Sequence, residues 1–422
     1  MATVYWTPRA TAVAQIADAT IDNIDAGSPS ASNDFTVTVG GFSVSVAGDT
    51  DAQTTAAALV ADLVSSTQPY IAAIAWTAPG AGVVRGTGVA GVPFVAALSV
   101  SGAGTGAVTD FADTQAATSS HHADEPLNYS TLALPGAADD LVIADSAMSI
   151  LWALDALDST ALDSVLVARS FTGRIGLDAT RFATSVDSVT TDATVPEYRQ
   201  DYFEISAPLV VSGRDLGVGS STGSSRIKIS NVLAAASRAL VEGTAATSDG
   251  ARPAFRYLVA HADAVLEVLE APGGVGIAAE LPGETATLDR VEMLGTSSAS
   301  RLVIGAGAAV ADYVQGIGTA TIANGTAAEV RGGTLNIIGE GYGLALTVSG
   351  GRVNDRHTNS GGSEWSAIAV SGGVLDLTGS GEARTVDALT HTGGQIEADW
   401  GDLTITAHTV PSGRASINVQ PQ

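Results

Sequence analysis

Apolar and polar residues alternate with period two along most of this chain, the pattern of half-buried β-strands. Phe35-Thr-Val-Thr-Val alternates, Gly40-Gly41 turns, and Phe42-Ser-Val-Ser-Val alternates back, which predicts a hairpin. The pattern then changes to a helical one. Leu59, Val60, Leu63 and Val64 make an apolar stripe on a helix over 51–64, with Asp51 or Thr54 as its N-cap. Further strands are expected over 71–76 and 92–100, so 33–110 reads as a small α+β docking module. Residues 1–32 read as an extended N-terminal arm, whose large apolar Tyr5 and Trp6 are candidate partner anchors. Residues 111–126 read as a linker.

From residue 127 the strand-like pieces become short and are punctuated by glycine and proline. They include 141–143, 162–167, 170–177 as strand-turn-strand, 226–230, 258–259, 264–269, 286–293 and 301–304. Residues 234–241 are the one helix candidate here. After residue 305 a phrase repeats: Val330-Arg-Gly-Gly-Thr-Leu-Asn, Val348-Ser-Gly-Gly-Arg-Val-Asn, Val370-Ser-Gly-Gly-Val-Leu-Asp and His391-Thr-Gly-Gly-Gln-Ile-Glu. The glycine pairs begin at Gly332, Gly350, Gly372 and Gly393, steps of 18, 22 and 21 residues. A period of about 20 residues fits one coil of a solenoid. Each phrase places Leu335, Val353, Leu375 or Ile396 on one face and Asn336, Asn354, Asp376 or Glu397 on the other. Stacked coils would pair these strands in parallel, about 4.8 Å apart. The expected fold is mainly β: the α+β module, then a long right-handed parallel β-helix, irregular over 127–304 and regular over 305–410. Residues 411–422 are expected to form a cap or tail.

Composition narrows the function. The 422 residues carry 44 acidic against 19 basic side chains, a net charge of −25. Lys228 is the single lysine, and no basic run exists to neutralise phosphates, which argues against nucleic acid as a partner. Cysteine is absent, so neither disulfides nor thiolate metal sites are available. The first residues lack the apolar core of a signal peptide, and no apolar run reaches the ~18 residues of a membrane span. Synthesis in a host cytoplasm and no membrane partner are the expectations.

No motif specifies an enzyme. Gly86-Thr-Gly-Val-Ala-Gly91 matches the dinucleotide fingerprint by letter, yet Val92-Pro93-Phe94 follows where a helix should start. Asp376 and Glu397 stand one rung apart, and paired carboxylates serve glycoside hydrolysis. Every copy of the phrase has a polar residue there, so a solvated face is the expected reading. With Trp365 and Trp400 these two are the candidate glycan contacts; Tyr342 is the other large aromatic nearby. His121-His122 with Asp124 and Glu125 lacks a second cluster to complete a metal site, and Asp49 with Asp51 lacks EF-hand spacing. No catalytic residue, cofactor or metal is assigned.

Two stretches carry a resemblance. Asp34-Phe-Thr-Val-Thr-Val-Gly-Gly-Phe-Ser-Val-Ser-Val, the helix after it and Gly91-Val-Pro-Phe-Val resemble a small module of phage and prophage virion proteins. Asn128-Tyr-Ser, Leu134-Pro-Gly-Ala-Ala-Asp-Asp-Leu-Val-Ile, Ser170-Phe-Thr-Gly-Arg-Ile-Gly-Leu and the Gly-Gly phrases are similar to β-helical proteins encoded beside phage structural genes. The opening is also similar to autotransporter-like β-helices, but with Tyr129 for their common Trp and no secretion signal. The resemblance implies a structural virion protein: a capsid decoration or head-fibre protein that docks on the major capsid protein or another virion protein. It implies a homotrimer joined along one outward face of 300–410. The alternative it implies is a tail spike or fibre that binds a host glycan. A bacterial surface adhesin is the third and weakest reading.

Overall fold

A computed structural model describes residues 2–24, 33–92, 94–148, 150–152, 159–173, 175–177, 182–183, 195–196, 202–213, 227–244, 253–279, 283–295, 297–323, 327–338, 345–356, 365–378, 384–399, 403–410 and 416–420. The chain is mainly β. From Leu209 onward, successive strands alternate between two long sheets, one of 13 strands and one of 11. Every pairing within these two sheets is parallel. In the repeats the registers join Leu335 to Val353, Val353 to Leu375 and Leu375 to Ile396. These four side chains are buried, and the same core continues through Val330, Val348, Val370 and Leu346 of the 13-stranded sheet. Alternation therefore sends one set of side chains between the sheets and the other outward.

The glycine pairs fit because each turn stacks on the turn before it. Gly333, Gly351, Gly373 and Gly394 all have φ between +68° and +77°. The carbonyls of the first three receive the first amide of the next copy: Arg352 N donates to Gly333 O, Val374 N to Gly351 O and Gln395 N to Gly373 O, each at 2.9 Å. A Cβ on Gly373 would lie 2.5 Å from Gly351 O, and one on Gly372 2.4 Å from Ser349 O. The second glycine thus supplies the left-handed conformation, and both keep the stack free of side-chain carbon.

The N-terminal module has a four-stranded antiparallel sheet in the order Ala75–Gly80, Val83–Ala90, Ala14–Asn23, Ala107–Gln115. A three-stranded antiparallel sheet has the order Phe42–Ala47, Asn33–Val39, Ala96–Gly102. The hairpin forms as expected, with Val39 paired to Phe42 across Gly40 and Gly41, both at positive φ. The helix Ala52–Ser65 is capped by Asp51, whose carboxylate accepts from Thr54 N at 2.7 Å. Its buried stripe is Thr55, Ala56, Leu59 and Leu63; Val64, expected in the stripe, is exposed.

Several expectations are corrected. Residues 2–24 are not a separate arm. Thr3–Tyr5 is the first strand of the 13-stranded sheet, paired with Asp140–Ile143, and Ala14–Asn23 lies inside the module's larger sheet. The linker reading also fails at its start, because Ala107–Gln115 is a module strand. The strand expected over 71–76 starts only at Ala75, after a helical turn Pro69–Ala72. Residues 234–241 hold no helix: Arg238–Gly243 is a strand whose Ala239 and Val241 enter the core. Weak helix propensity yields there to two neighbouring strands. Among the described residues of 170–177 only Ile175–Leu177 is a strand. Ser416–Gln420, expected as cap or tail, adds one more parallel strand beside Gln395–Asp399.

Candidate functional site

The polar row of the repeated phrase is the densest cluster of chemistry among the described residues. Register places Asn336, Asn354, Asp376 and Glu397 on successive rungs of the 11-stranded sheet. Asn354 Nδ2 donates to Asn336 Oδ1 at 2.9 Å. Arg352, two residues before Asn354 and on the same face, reaches along the row. Its Nε donates to Asn354 Oδ1 at 2.7 Å, and its Nη2 to Asp376 Oδ2 and, at 3.2 Å, to Glu397 Oε2. Arg356 Nη2 adds a bond to Asp376 Oδ2 at 2.8 Å. The other oxygen of Asp376 accepts from Thr378 N at 2.9 Å and Thr378 Oγ1 at 2.6 Å. Gln395 Nε2 donates to Glu397 Oε1 at 2.9 Å.

Asp376 was expected to face solvent; it is only 4 % exposed. Burial raises its pKa, but the bonds from Arg356 and Thr378 outweigh burial and hold it at about 2. Asp376 and Glu397 bond the same guanidinium nitrogen. A glycosidase acid must keep a proton near neutral pH. A carboxyl held at about 2 between two arginines does not. Asp376 and Glu397 thus share one guanidinium, with Asp376 the ionised member.

Trp365 is fully buried, and its Nε1 donates to Asp355 Oδ2 at 3.1 Å. A sugar ring cannot stack on it without opening the sheet, which corrects its reading as an exposed platform. Trp400 and Tyr342 lie outside the described residues. Arg352 and Arg356 were missed by the sequence reading. Their signal was there: charged residues two positions before and after Asn354, beside a row that turns acidic one rung later.

The proposed anchors separate. Tyr5 is 48 % exposed on the first strand, while Trp6 is buried edge-on against Tyr129, with ring centroids 5.4 Å apart. Asn128 ties this region together. Its Oδ1 accepts from Arg9 N at 2.8 Å and Ala10 N at 2.9 Å, and its Nδ2 donates to Ser119 O at 2.8 Å and His122 O at 2.9 Å. The amide is thereby saturated on both sides. Burial, then the charge of Asp124, raises the pKa of Tyr129, whose hydroxyl donates to Ala123 O at 2.6 Å.

His122 is buried, with Nε2 3.0 Å from Gly91 O and Nδ1 3.7 Å from Asp124 Oδ1. Glu125 accepts from Leu127 N at 3.1 Å. Among the described residues no group of three His, Asp or Glu is placed to hold a metal ion. Asp49 Oδ1 accepts from Thr50 N, and Asp51 Oδ1 from Thr54 N as the cap of the helix. The fingerprint glycines have a packing role. Gly86 and Gly88 lie on a strand under the Phe94 ring, where a Cβ would stand 3.0 and 2.9 Å from ring atoms.

Comparison with protein-family models, curated proteins and solved structures found no match.

Proposed function

We infer that this chain is a structural protein of a tailed-phage particle, a capsid decoration or head-fibre protein rather than an enzyme. The two long sheets are read as faces of one right-handed parallel β-helix displayed at the particle surface. The N-terminal module is read as the part that docks on the major capsid protein or another virion protein. The observation that carries this reading is the outward polar row: its carboxylates, amides and guanidinia bond one another from rung to rung. Such a row braces a rod, and its buried carboxylate Asp376 is held ionised rather than poised to donate a proton. The acidic surface suits solubility at high copy number.

The tail-spike alternative retains Glu397 and Arg352 as partly exposed groups that a glycan hydroxyl could bond. It loses Trp365 as a stacking platform. Immunogold electron microscopy of intact particles, with an antibody to residues 300–410, separates the two. Gold over the heads agrees with decoration, and gold at the tail tip favours the spike. Unlabelled particles refute both.

A further inference from the structure

The inward row of the 13-stranded sheet carries one residue out of pattern. Register joins Met293, Gln315, Val330, Val348, Val370 and His391 on successive rungs. Three copies of the repeated phrase fill this position with valine. The fourth fills it with an imidazole that is 1 % exposed. Gln315, the other polar member of the row, is bonded at both ends. Tyr313 Oη donates to its Oε1 at 3.2 Å, and its Nε2 donates to Gly318 O at 3.1 Å and Thr334 O at 3.0 Å. His391 has one long bond, from Nε2 to Gly394 O at 3.4 Å, across its own turn. A carbonyl only accepts, so the neutral ring carries its proton on Nε2 and leaves Nδ1 bare. Among the described residues no acceptor is bonded to Nδ1.

We propose that His391 makes the strands Arg384–His391 and Leu403–Thr409 acid-sensitive, so that mild acid opens them ahead of the rest of the sheet. Protonation adds an N–H at Nδ1 and a full charge to a position that the other copies fill with valine. The described surroundings supply no counter-charge. Val386 and Leu389 on its own strand, Ile368 and Val370 on the strand before, and Leu375 and Ile396 on the facing sheet are apolar and buried. The described carboxylates of these strands are placed elsewhere. Asp387 is exposed, and Asp376 and Glu397 lie in the outward row, bonded to Arg352. Asp355, buried on an earlier strand of the facing sheet, accepts from Trp365 Nε1. The titratable group of the following strand is His408, exposed and paired with Leu389, hence diagonal to His391. In acid it brings a second cation rather than a partner. A buried charge without a partner is costly, whereas the opened strand leaves the ring to water. Opening and proton uptake are therefore linked: stability is present at neutral pH and is lost as pH falls through the range where imidazoles charge. The device needs only the fold, so it stands or falls separately from the particle reading.

Hydrogen exchange of the full chain at about pH 7.5 and about pH 5.5, corrected for the pH dependence of exchange itself, tests it. Protection of Arg384–His391 and Leu403–Thr409 should fall about tenfold or more between the two, while that of Ala327–Val330 holds. This window lies above the pH of ~4 at which the contribution of Asp376 begins to be lost. His391→Val restores the residue of the other three copies, so the fold should keep it. It should raise the protection of both strands and abolish the fall. His408→Gln should leave most of the fall in place. A wild type equally protected at both pH values overturns the proposal. So does a fall that survives His391→Val, or one removed by His408→Gln instead.

Discussion

Replacing Gly373 with alanine probes the stacked turns directly. At φ +68° an alanine adopts the left-handed region at a cost of about 1–2 kcal/mol. Its Cβ would also lie 2.5 Å from Gly351 O and 2.7 Å from Gly350 C, both backbone atoms. Relief requires the two turns to separate by nearly an ångström. That movement stretches the Val374 N to Gly351 O bond, now 2.9 Å, worth about 0.5–1.5 kcal/mol net. With strain spread into the neighbouring rungs, the local cost should be about 3–5 kcal/mol.

Gly283 is the control. Its φ is +84°, but nothing lies within 4 Å of an added Cβ, so only the conformational cost of about 1–2 kcal/mol applies there. A long stacked array does not unfold in one step, so a global melt would blur the comparison. Hydrogen exchange of the amides at Ala367–Val370 and Val374–Asp376 reads it locally. Gly373→Ala should reduce protection there about 100-fold or more, and Gly283→Ala should leave it unchanged. Equal, small effects of each variant on its own turn would refute the claim that carbonyl stacking, rather than turn conformation, demands the glycines.

Other consequences follow from the bonded network and the N-terminal tie. Asp376, held at about 2 when folded against 3.8 for a free carboxyl, contributes stability that is fully present above pH ~4 and is lost as pH falls through 2. The amount is on the order of 2 kcal/mol, and Asp376→Asn should flatten the acid limb of local hydrogen exchange. Trp365→Phe removes a buried donor from Asp355 and should cost about 1–3 kcal/mol, visible in denaturant titration, without any glycan present. Asn128→Ala removes four bonds at once; trypsin cleavage after Arg9 should accelerate, while the helix capped by Asp51 keeps its exchange protection.

Much of the architecture was legible because it depends on local periodicity. Alternation identified the strands at Ala286–Met293 and Arg301–Ile304 to the residue, and the inward row Leu335, Val353, Leu375 and Ile396. A Gly-Gly phrase recurring about every 20 residues foretold parallel pairing in a constant register, because identical turns can stack only on one another. The hairpin and its Asp51-capped helix were equally local. What the tertiary structure alone decided is the fate of groups whose partners lie far away in sequence. Trp6 reads the same whether it meets a partner or meets Tyr129; the fold buries it there. Trp365 looked like a surface platform until the parallel bridge to Val386 and the bond to Asp355 enclosed it. Asp376 lies 24 residues from Arg352, and only stacking brings the carboxylate and guanidinium onto adjoining rungs. Local pattern sets which way a side chain points; the neighbour it meets, and hence its charge and exposure, is set by the strand laid down one turn earlier or later.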